Sequence, residues 1–142
     1  MATAHAPGFP FLMLSAELVE NTPEENAFDT ELMAAYLRRE GLTYDRCLGQ
    51  YAGVREVSFR VCLDANDPAE AMRAADVVQK LARGFRQESV LAVRPDGGAT
   101  LVYAEHAEYL GQWSRCDESD LQGESPDFTL IDGEHFIVEV AS

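Results

Sequence analysis

The stretch VREVSFRVCLDANDPAE, which spans Val54–Glu70, joins a strand to a helix and decides most of the predicted fold. Its first half alternates as a half-buried strand does. One face of that strand carries Val57, Phe59, Val61 and Leu63. The opposite face carries Glu56, Ser58, Arg60 and Cys62. The second half starts a helix, because Asp67 can cap it, Pro68 fits its first position and Glu70 follows three residues after the cap.

The flanking sequence supplies further elements of similar length. The predicted elements are a strand at Pro10–Leu18, a polar loop at Val19–Ala27, a helix from Asp29 or Thr30 to Glu40, strands at Thr43–Tyr51 and Val54–Asp64, a helix from Asp67 to about Phe85, strands at Gln87–Arg94 and Ala99–Glu105, and a C-terminal hairpin of Phe128–Ile131 and Phe136–Val140. No strand is predicted between Glu105 and Phe128, where the acidic segment 114–127 looks irregular.

The order β-α-β-β-α-β predicts an α/β sandwich of the ferredoxin-like class, with both helices on one face of the sheet and an extra C-terminal hairpin. The chain has 142 residues, enough for one domain. We expect a disordered tail over 1–9 and a single domain over 10–142.

The first strand suggests that the second face of this sheet is also covered. Phe11, Met13, Ser15 and Glu17 point away from the predicted helices. Each fully buried Phe or Met contributes about 1.5–3 kcal/mol, so an exposed position forgoes that gain. We expect other subunits or the C-terminal hairpin to cover this face and to enclose a ligand pocket. The alternative is that a few apolar side chains are simply exposed.

The charge balance limits the classes of partner that the chain can bind. The chain has 25 Asp and Glu against 11 Lys and Arg, a net charge of −14. Such a chain repels phosphate backbones, so we expect no nucleic-acid binding. The same charge would attract a cationic small molecule or a basic protein, or serve solubility alone. The N-terminal residues lack a signal peptide or membrane span, and the three widely spaced cysteines suggest reduced thiols, so the cytoplasm is the expected compartment.

The usual catalytic signatures are missing. We find no Gly-x-Ser-x-Gly, phosphate loop or dinucleotide fingerprint, and the histidines do not cluster, so neither a metal site nor a cofactor is expected. Carboxylates, tyrosines and hydroxyls on the strands remain as candidates. They are Glu56 with Ser58 and Tyr51, Glu105 with Tyr103, and Ser15. Carboxylates and aromatic rings are the groups that hold a cation.

Five short segments resemble a known family. They are FLMLSA at Phe11–Ala16, Gly49-Gln50-Tyr51, Phe59-Arg60-Val61-Cys62, QESVL at Gln87–Leu91 and LVYA at Leu101–Ala104. Their order and spacing over Phe11–Glu105 resemble the small bacteriophage enzymes that degrade S-adenosylmethionine (SAM), described first as SAM hydrolases and later as SAM lyases.

The resemblance implies a PII-like, ferredoxin-related sandwich that forms a homo-trimer with active sites between subunits. It also implies that the enzyme defeats host restriction by removing the methyl donor. Tyr51 matches the family's Gly-x-Tyr segment directly. Glu56 matches acidic residues ahead of the Phe59–Cys62 strand, and Glu105 follows the Leu-Val-Tyr-Ala segment.

The expected reaction is attack of the substrate's own carboxylate on its γ-carbon, which gives methylthioadenosine and homoserine lactone. Glu56 or Glu105 would anchor the ammonium or sulfonium, and Tyr51 would position the substrate. Ser58, Tyr103 and Ser15 are candidate substrate-binding residues. The alternatives are a hydrolase that yields homoserine, a PII-like nucleotide sensor without chemistry, and an acidic DNA mimic that blocks a restriction enzyme.

Overall fold

The computed structural model describes residues 10–51, 54–64, 66–121 and 127–140. These residues form β1 (Phe11–Leu14), α1 (Pro23–Arg39), β2 (Tyr44–Tyr51), β3 (Val54–Cys62), α2 (Pro68–Gly84), β4 (Ser89–Val93), β5 (Gly98–Tyr103), β6 (Ala107–Cys116), β7 (Phe128–Ile131) and β8 (Glu134–Val140). The predicted tail at 1–9 lies outside the described residues.

The sequence predicted the start of one helix correctly and the start of the other wrongly. In α2 the Asp67 carboxylate accepts a hydrogen bond from Glu70 N–H at 3.2 Å, as predicted. The start predicted for α1 at Asp29 or Thr30 is wrong. A capping box closes that helix at Thr22, where the Thr22 hydroxyl accepts from Glu25 N–H at 3.1 Å and the Glu25 carboxylate accepts from Thr22 N–H at 2.9 Å. Because Pro23 fits a first helical turn, most of the predicted loop is helical.

The sheet is a closed antiparallel barrel, and the predicted ferredoxin-like and PII-like class is therefore wrong. Its strand order is β1-β3-β2-β7-β8-β6-β5-β4, and β4 pairs with β1 to complete the ring. The C-terminal hairpin is not an appendage, because β7 pairs with β2 and β8 pairs with β6.

The physical reason for the error is β6, which the sequence analysis missed. This strand joins β5 to β8 and so connects the two halves of the barrel. It contains a β-bulge: Ala99 pairs with Gly111 and Thr100 with Tyr109, so Leu110 has no partner on β5. The bulge places Gly111 at φ 151° and interrupts the alternation by which a strand is detected.

The barrel wall separates two apolar clusters. The outer core lies between the barrel and the helices, and its largest fully buried members are Phe59, Met33, Leu37, Val61, Val78 and Val90. The inner core lies inside the barrel and consists of Phe11, Met13, Cys47, Val93, Ala99, Trp113, Ile131 and Phe136.

The inner core shows what covers the second face of β1. Phe11 is 1% exposed and Met13 is 5% exposed within a single chain, where both belong to the apolar cluster that also contains Ile131 and Phe136. Of the two expected coverings, the C-terminal hairpin is the one that the structure shows, together with β6. Among the described residues, no helix combines the length and the hydropathy that a membrane crossing would need.

Candidate active site inside the barrel

A cavity of about 540 Å³ lies inside the barrel, where Met13, Trp113 and Phe136 of the inner core form part of its wall. Its size falls within the range of small-molecule sites. Three carboxylates line it, those of Glu56, Glu108 and Asp127. Glu56 lies near the start of β3, Glu108 near the start of β6, and Asp127 immediately before β7. These three strands point in the same direction along the barrel axis. The carboxylates near their starts therefore lie at one end of the barrel, here called the acidic end.

A small hydrogen-bonded group beside Glu56 joins β3 to the residues that follow β1. The Ser15 hydroxyl donates to the Val57 carbonyl at 2.8 Å and accepts from Glu17 N–H at 3.0 Å. The Glu17 carboxylate accepts from Val57 N–H at 2.5 Å. These bonds tie the chain after β1 to β3 beside Glu56.

The surroundings of Glu56 disfavour its ionised form. Burial raises the pKa of the Glu56 carboxyl, and the nearby negative charge of Glu17 raises it further. The neighbouring Ser15 hydroxyl acts on this pKa in the opposite direction. A bound cation would offset both unfavourable effects, because opposite charges at close range stabilise the ionised carboxylate.

The electrostatic character of the cavity is negative. Among the described residues that line it, none is Lys, Arg or His. The buried guanidinium of Arg60 extends from the same face of β3 but does not line the cavity, and its Nε donates to Asp45 Oδ2 at 3.0 Å. The lining therefore favours a ligand of net positive charge.

The deep end of the cavity is aromatic. The Trp113 ring stacks on Phe136, with centroids 5.4 Å apart and an interplanar angle of 13°. Phe11 meets Trp113 edge-on at 5.2 Å. The deep end thus holds a stacked aromatic pair and no carboxylate among its described residues, whereas the three carboxylates lie at the acidic end beside Tyr109 and Phe128.

Comparison with known proteins assigns the chain to an enzyme family. The model of the S-adenosylmethionine lyase family matches residues 12–139, nearly the whole chain. The chain belongs to the S-adenosylmethionine lyase family. It is therefore an enzyme that degrades SAM rather than a sensor without chemistry.

A phage protein is among the solved structures that resemble this chain. It is a phage SAM lyase in complex with S-methyl-5'-thioadenosine, and it is 17% identical to this chain. The match covers 78% of this chain and 94% of the phage protein, with a TM-score of 0.35. No curated protein matches the chain.

The structure brings three of the predicted site residues together. Ser15, Glu56 and Ser58 all line the cavity inside the barrel of this chain. Ser58 is buried and adjoins Glu56 on the same face of β3. Their roles toward substrate stay predictions.

Two of the other predicted residues lie away from this group, and the side chain of the third is not described. Glu105 is exposed in a bend after β5, and the ring of Tyr103 stacks on His106 at a centroid distance of 4.4 Å. Neither residue lines the cavity. Tyr51 ends β2, and its side chain lies outside the part of the chain that the structure describes.

Several lining residues escaped sequence reasoning. Trp113, Tyr109 and Glu108 belong to β6, the unpredicted strand, and Asp127 lies in the segment treated as irregular. Thr129 lies on β7, in the hairpin predicted to be an addition to the main sheet. A detectable signal was present on β6, because tryptophan and tyrosine both favour strands and this segment carries the single tryptophan of the chain.

Proposed function

We propose that the enzyme cleaves SAM inside the barrel cavity into methylthioadenosine and L-homoserine lactone. The observation that carries this proposal is the lining itself, in which Glu56 and two further carboxylates face a cavity without a cationic side chain among its described residues. SAM bears a sulfonium, an ammonium and a carboxylate, so it enters with a net charge of +1. The acidic end attracts that charge.

The proposed chemical step is intramolecular. An oxygen of the substrate carboxylate forms a bond to the γ-carbon while the bond from that carbon to sulfur breaks. The electron pair stays on sulfur, which leaves as the neutral thioether of methylthioadenosine, and the lactone keeps the ammonium. No water is consumed and no proton moves. A folded substrate in a water-poor cavity favours this step, because the nucleophile is already in place and opposite charges are neutralised.

Glu56 is the proposed anchor for the sulfonium or the ammonium. Its carboxylate is partly withdrawn from water and already repelled by Glu17, so a substrate cation binds where negative charge is least well solvated. Ser15 and Ser58 are proposed as hydrogen-bond partners of the methionine part. Tyr51 stays a candidate through the resemblance alone. A catalytic role for Glu105 or Tyr103 requires a neighbouring subunit to bring the substrate to them.

The decisive experiment uses oxygen-18 water and follows where the label enters. The lyase reaction gives unlabelled lactone first. When that lactone later opens by attack on its carbonyl, the label enters the carboxyl group of homoserine. Direct hydrolysis of SAM at the γ-carbon would instead put the label in the γ-hydroxyl at once. Authentic lactone, incubated without enzyme, serves as the control, and γ-hydroxyl label would overturn the proposal.

Hydrolysis is the second candidate because of the same Glu56. A carboxyl group whose pKa is raised accepts a proton more readily, which suits a general base that activates water. The position of the oxygen-18 label separates this reaction from the proposed one.

We also propose that the enzyme works as a homo-trimer. The resemblance to phage enzymes supports this assembly, and so do two exposed apolar side chains near the acidic end. Val54, two residues from Glu56 on β3, and Tyr109, in the cavity lining, are each 53% exposed. Light scattering should give three times the 15.7 kDa of one chain, and a stable monomer at micromolar concentration would contradict the proposal.

The proposed biological role is to counter host restriction from the cytoplasm of the host cell. Removal of SAM withdraws the methyl donor from host methylases and from restriction enzymes that require it. Expression of the active enzyme in a host with a DNA methylase should lower DNA methylation. Undiminished methylation in cells whose SAM has fallen would contradict this role.

A further inference from the structure

Trp113 presents a buried hydrogen-bond donor that no acceptor of the described residues meets. Its side chain is 6% exposed and lines the cavity. The indole Nε1–H is buried, and no acceptor for it exists among the described residues. Buried tryptophan N–H groups usually find a partner, because leaving a donor unpaired costs free energy. A buried donor of this kind in the wall of a substrate cavity indicates that the ligand supplies the acceptor.

The position of Trp113 limits which part of a ligand can reach it. Glu108 is the second residue of β6 and Trp113 is the seventh, so Trp113 lies deeper in the barrel, away from the acidic end. Around it are Phe136 on one ring face and Phe11 at the edge. This deep end therefore offers an aromatic surface and one neutral donor.

A carboxylate fits this environment poorly. A single neutral N–H cannot compensate the cost of removing a full negative charge from water, and the described lining holds no cation to help. An adenine base fits well, because it is flat, its faces are apolar and its ring nitrogens accept hydrogen bonds. SAM contains both groups, so the two ends of the cavity distinguish them.

We propose that Trp113 recognises the adenine of SAM, with the base at the aromatic deep end and Nε1–H donating to one of its ring nitrogens. This inference rests on the proposed function, since it takes SAM as the ligand of the barrel cavity. It orients the substrate: adenine lies deep, and the sulfonium and amino-acid part lie toward Glu56. After cleavage the deep end holds neutral methylthioadenosine, which no longer gains from the negative lining.

The first test needs no variant. Trp113 is the only tryptophan in the chain, so fluorescence excited at a wavelength that the five tyrosines do not absorb reports on this position alone. Titration with methylthioadenosine should change the emission saturably, with the same Kd that calorimetry gives. Binding by calorimetry with unchanged emission would overturn the inference.

The second test identifies the acceptor with three analogues of methylthioadenosine, the 1-deaza, 3-deaza and 7-deaza compounds. Each replaces one ring nitrogen by C–H. We expect one analogue to bind the wild type about five- to tenfold more weakly than the parent, which corresponds to one lost hydrogen bond. Trp113→Phe keeps an aromatic ring against Phe136 and removes the donor. This variant should bind the parent and that analogue equally, and unchanged discrimination in Trp113→Phe would refute the assignment.

Glu56→Gln separates this inference from the proposed function. In the wild type, the charge of Glu56 faces the cation that SAM has and methylthioadenosine lacks. The variant should therefore weaken SAM binding several times more than methylthioadenosine binding. If Glu56→Gln affects both ligands equally while the deaza discrimination holds, the cation anchor fails and the adenine site stands. If no deaza analogue binds more weakly and Glu56→Gln weakens the binding of SAM alone, the adenine site fails and the cation anchor stands.

Discussion

The two faces of the same strands differ in character, because one belongs to the outer core and the other faces the inside of the barrel. On β3, Phe59 and Val61 point outward into a cluster closed by the helices, and both are fully buried. On the other face of that strand, Ser58 and Glu56 point inward and line the cavity. The outer face is apolar and filled, whereas the inner face carries polar groups beside unfilled space.

This difference separates stability from activity at the level of single residues. Apolar burial in the outer core contributes to folding, and of its buried members only Leu14 also lines the cavity. The inward carboxylate and hydroxyls lower stability or leave it unchanged, because buried polar groups need compensation. Substitutions on opposite faces of β3 should therefore have opposite consequences.

The largest effect should come from Phe59→Ala in the outer core. The side chain is 0% exposed and meets Tyr44 edge-on at 5.7 Å. Removing such a ring costs about 3–5 kcal/mol of the free energy of unfolding. Denaturant titration measures the loss, and Met72→Ala on the exposed side of α2 is the control, with a change within about 0.5 kcal/mol. Equal effects of the two substitutions would contradict the position given to the outer core.

The next effect concerns activity and comes from the inner face. Glu56→Gln should lower kcat/KM for SAM by about 30-fold or more, because a charge facing the substrate cation is lost. Glu105→Gln is the matched control. Its side chain is exposed and outside the cavity lining, so it should retain wild-type turnover. A large loss in Glu105→Gln would instead place that carboxylate in a site shared between subunits.

The smallest effect is on stability, and its sign should oppose that of Phe59→Ala. Burial and Glu17 hold the pKa of Glu56 above its ordinary value of 4.5, so the folded protein is destabilised when this carboxyl ionises. Glu56→Gln should raise Tm by a few degrees near pH 7. The gain should shrink as the pH falls through the raised pKa and vanish below the ordinary value. Melting curves from pH 4 to pH 8 test this, and a gain that grows toward low pH would show that the sign is wrong.

The sequence predicted local structure better than architecture. The alternation on β3 and the capping signals of α2 depend on neighbouring residues, and both match the structure. The class of the sheet depends on which strands meet, and β6 decides that. Its bulge at Leu110 shifts the pattern by one residue, so no regular alternation connects Tyr109 to Trp113.

The same limit applies to the candidate site. The parity of β1 and β3 is visible in the sequence, and Ser15, Glu56 and Ser58 do line one cavity. The residues opposite them come from β6, β7 and β8, whose positions follow only from barrel closure. Trp113 could not be found from the sequence, because its significance lies in a buried N–H without an acceptor among the described residues.

Barrel closure also sets when the proposed site is complete during synthesis. The ladder between β2 and β7 joins Leu48 to Leu130, and β8 contributes Phe136 and Val138 to the cavity wall. A ribosome adds about 5–20 residues each second and reaches β8 after every other described strand. Until then the cavity lacks a wall and stays open to water. If SAM is cleaved in this cavity as proposed, we expect breakdown only from chains whose synthesis has passed β8, and fragments released earlier should leave the methyl donor untouched.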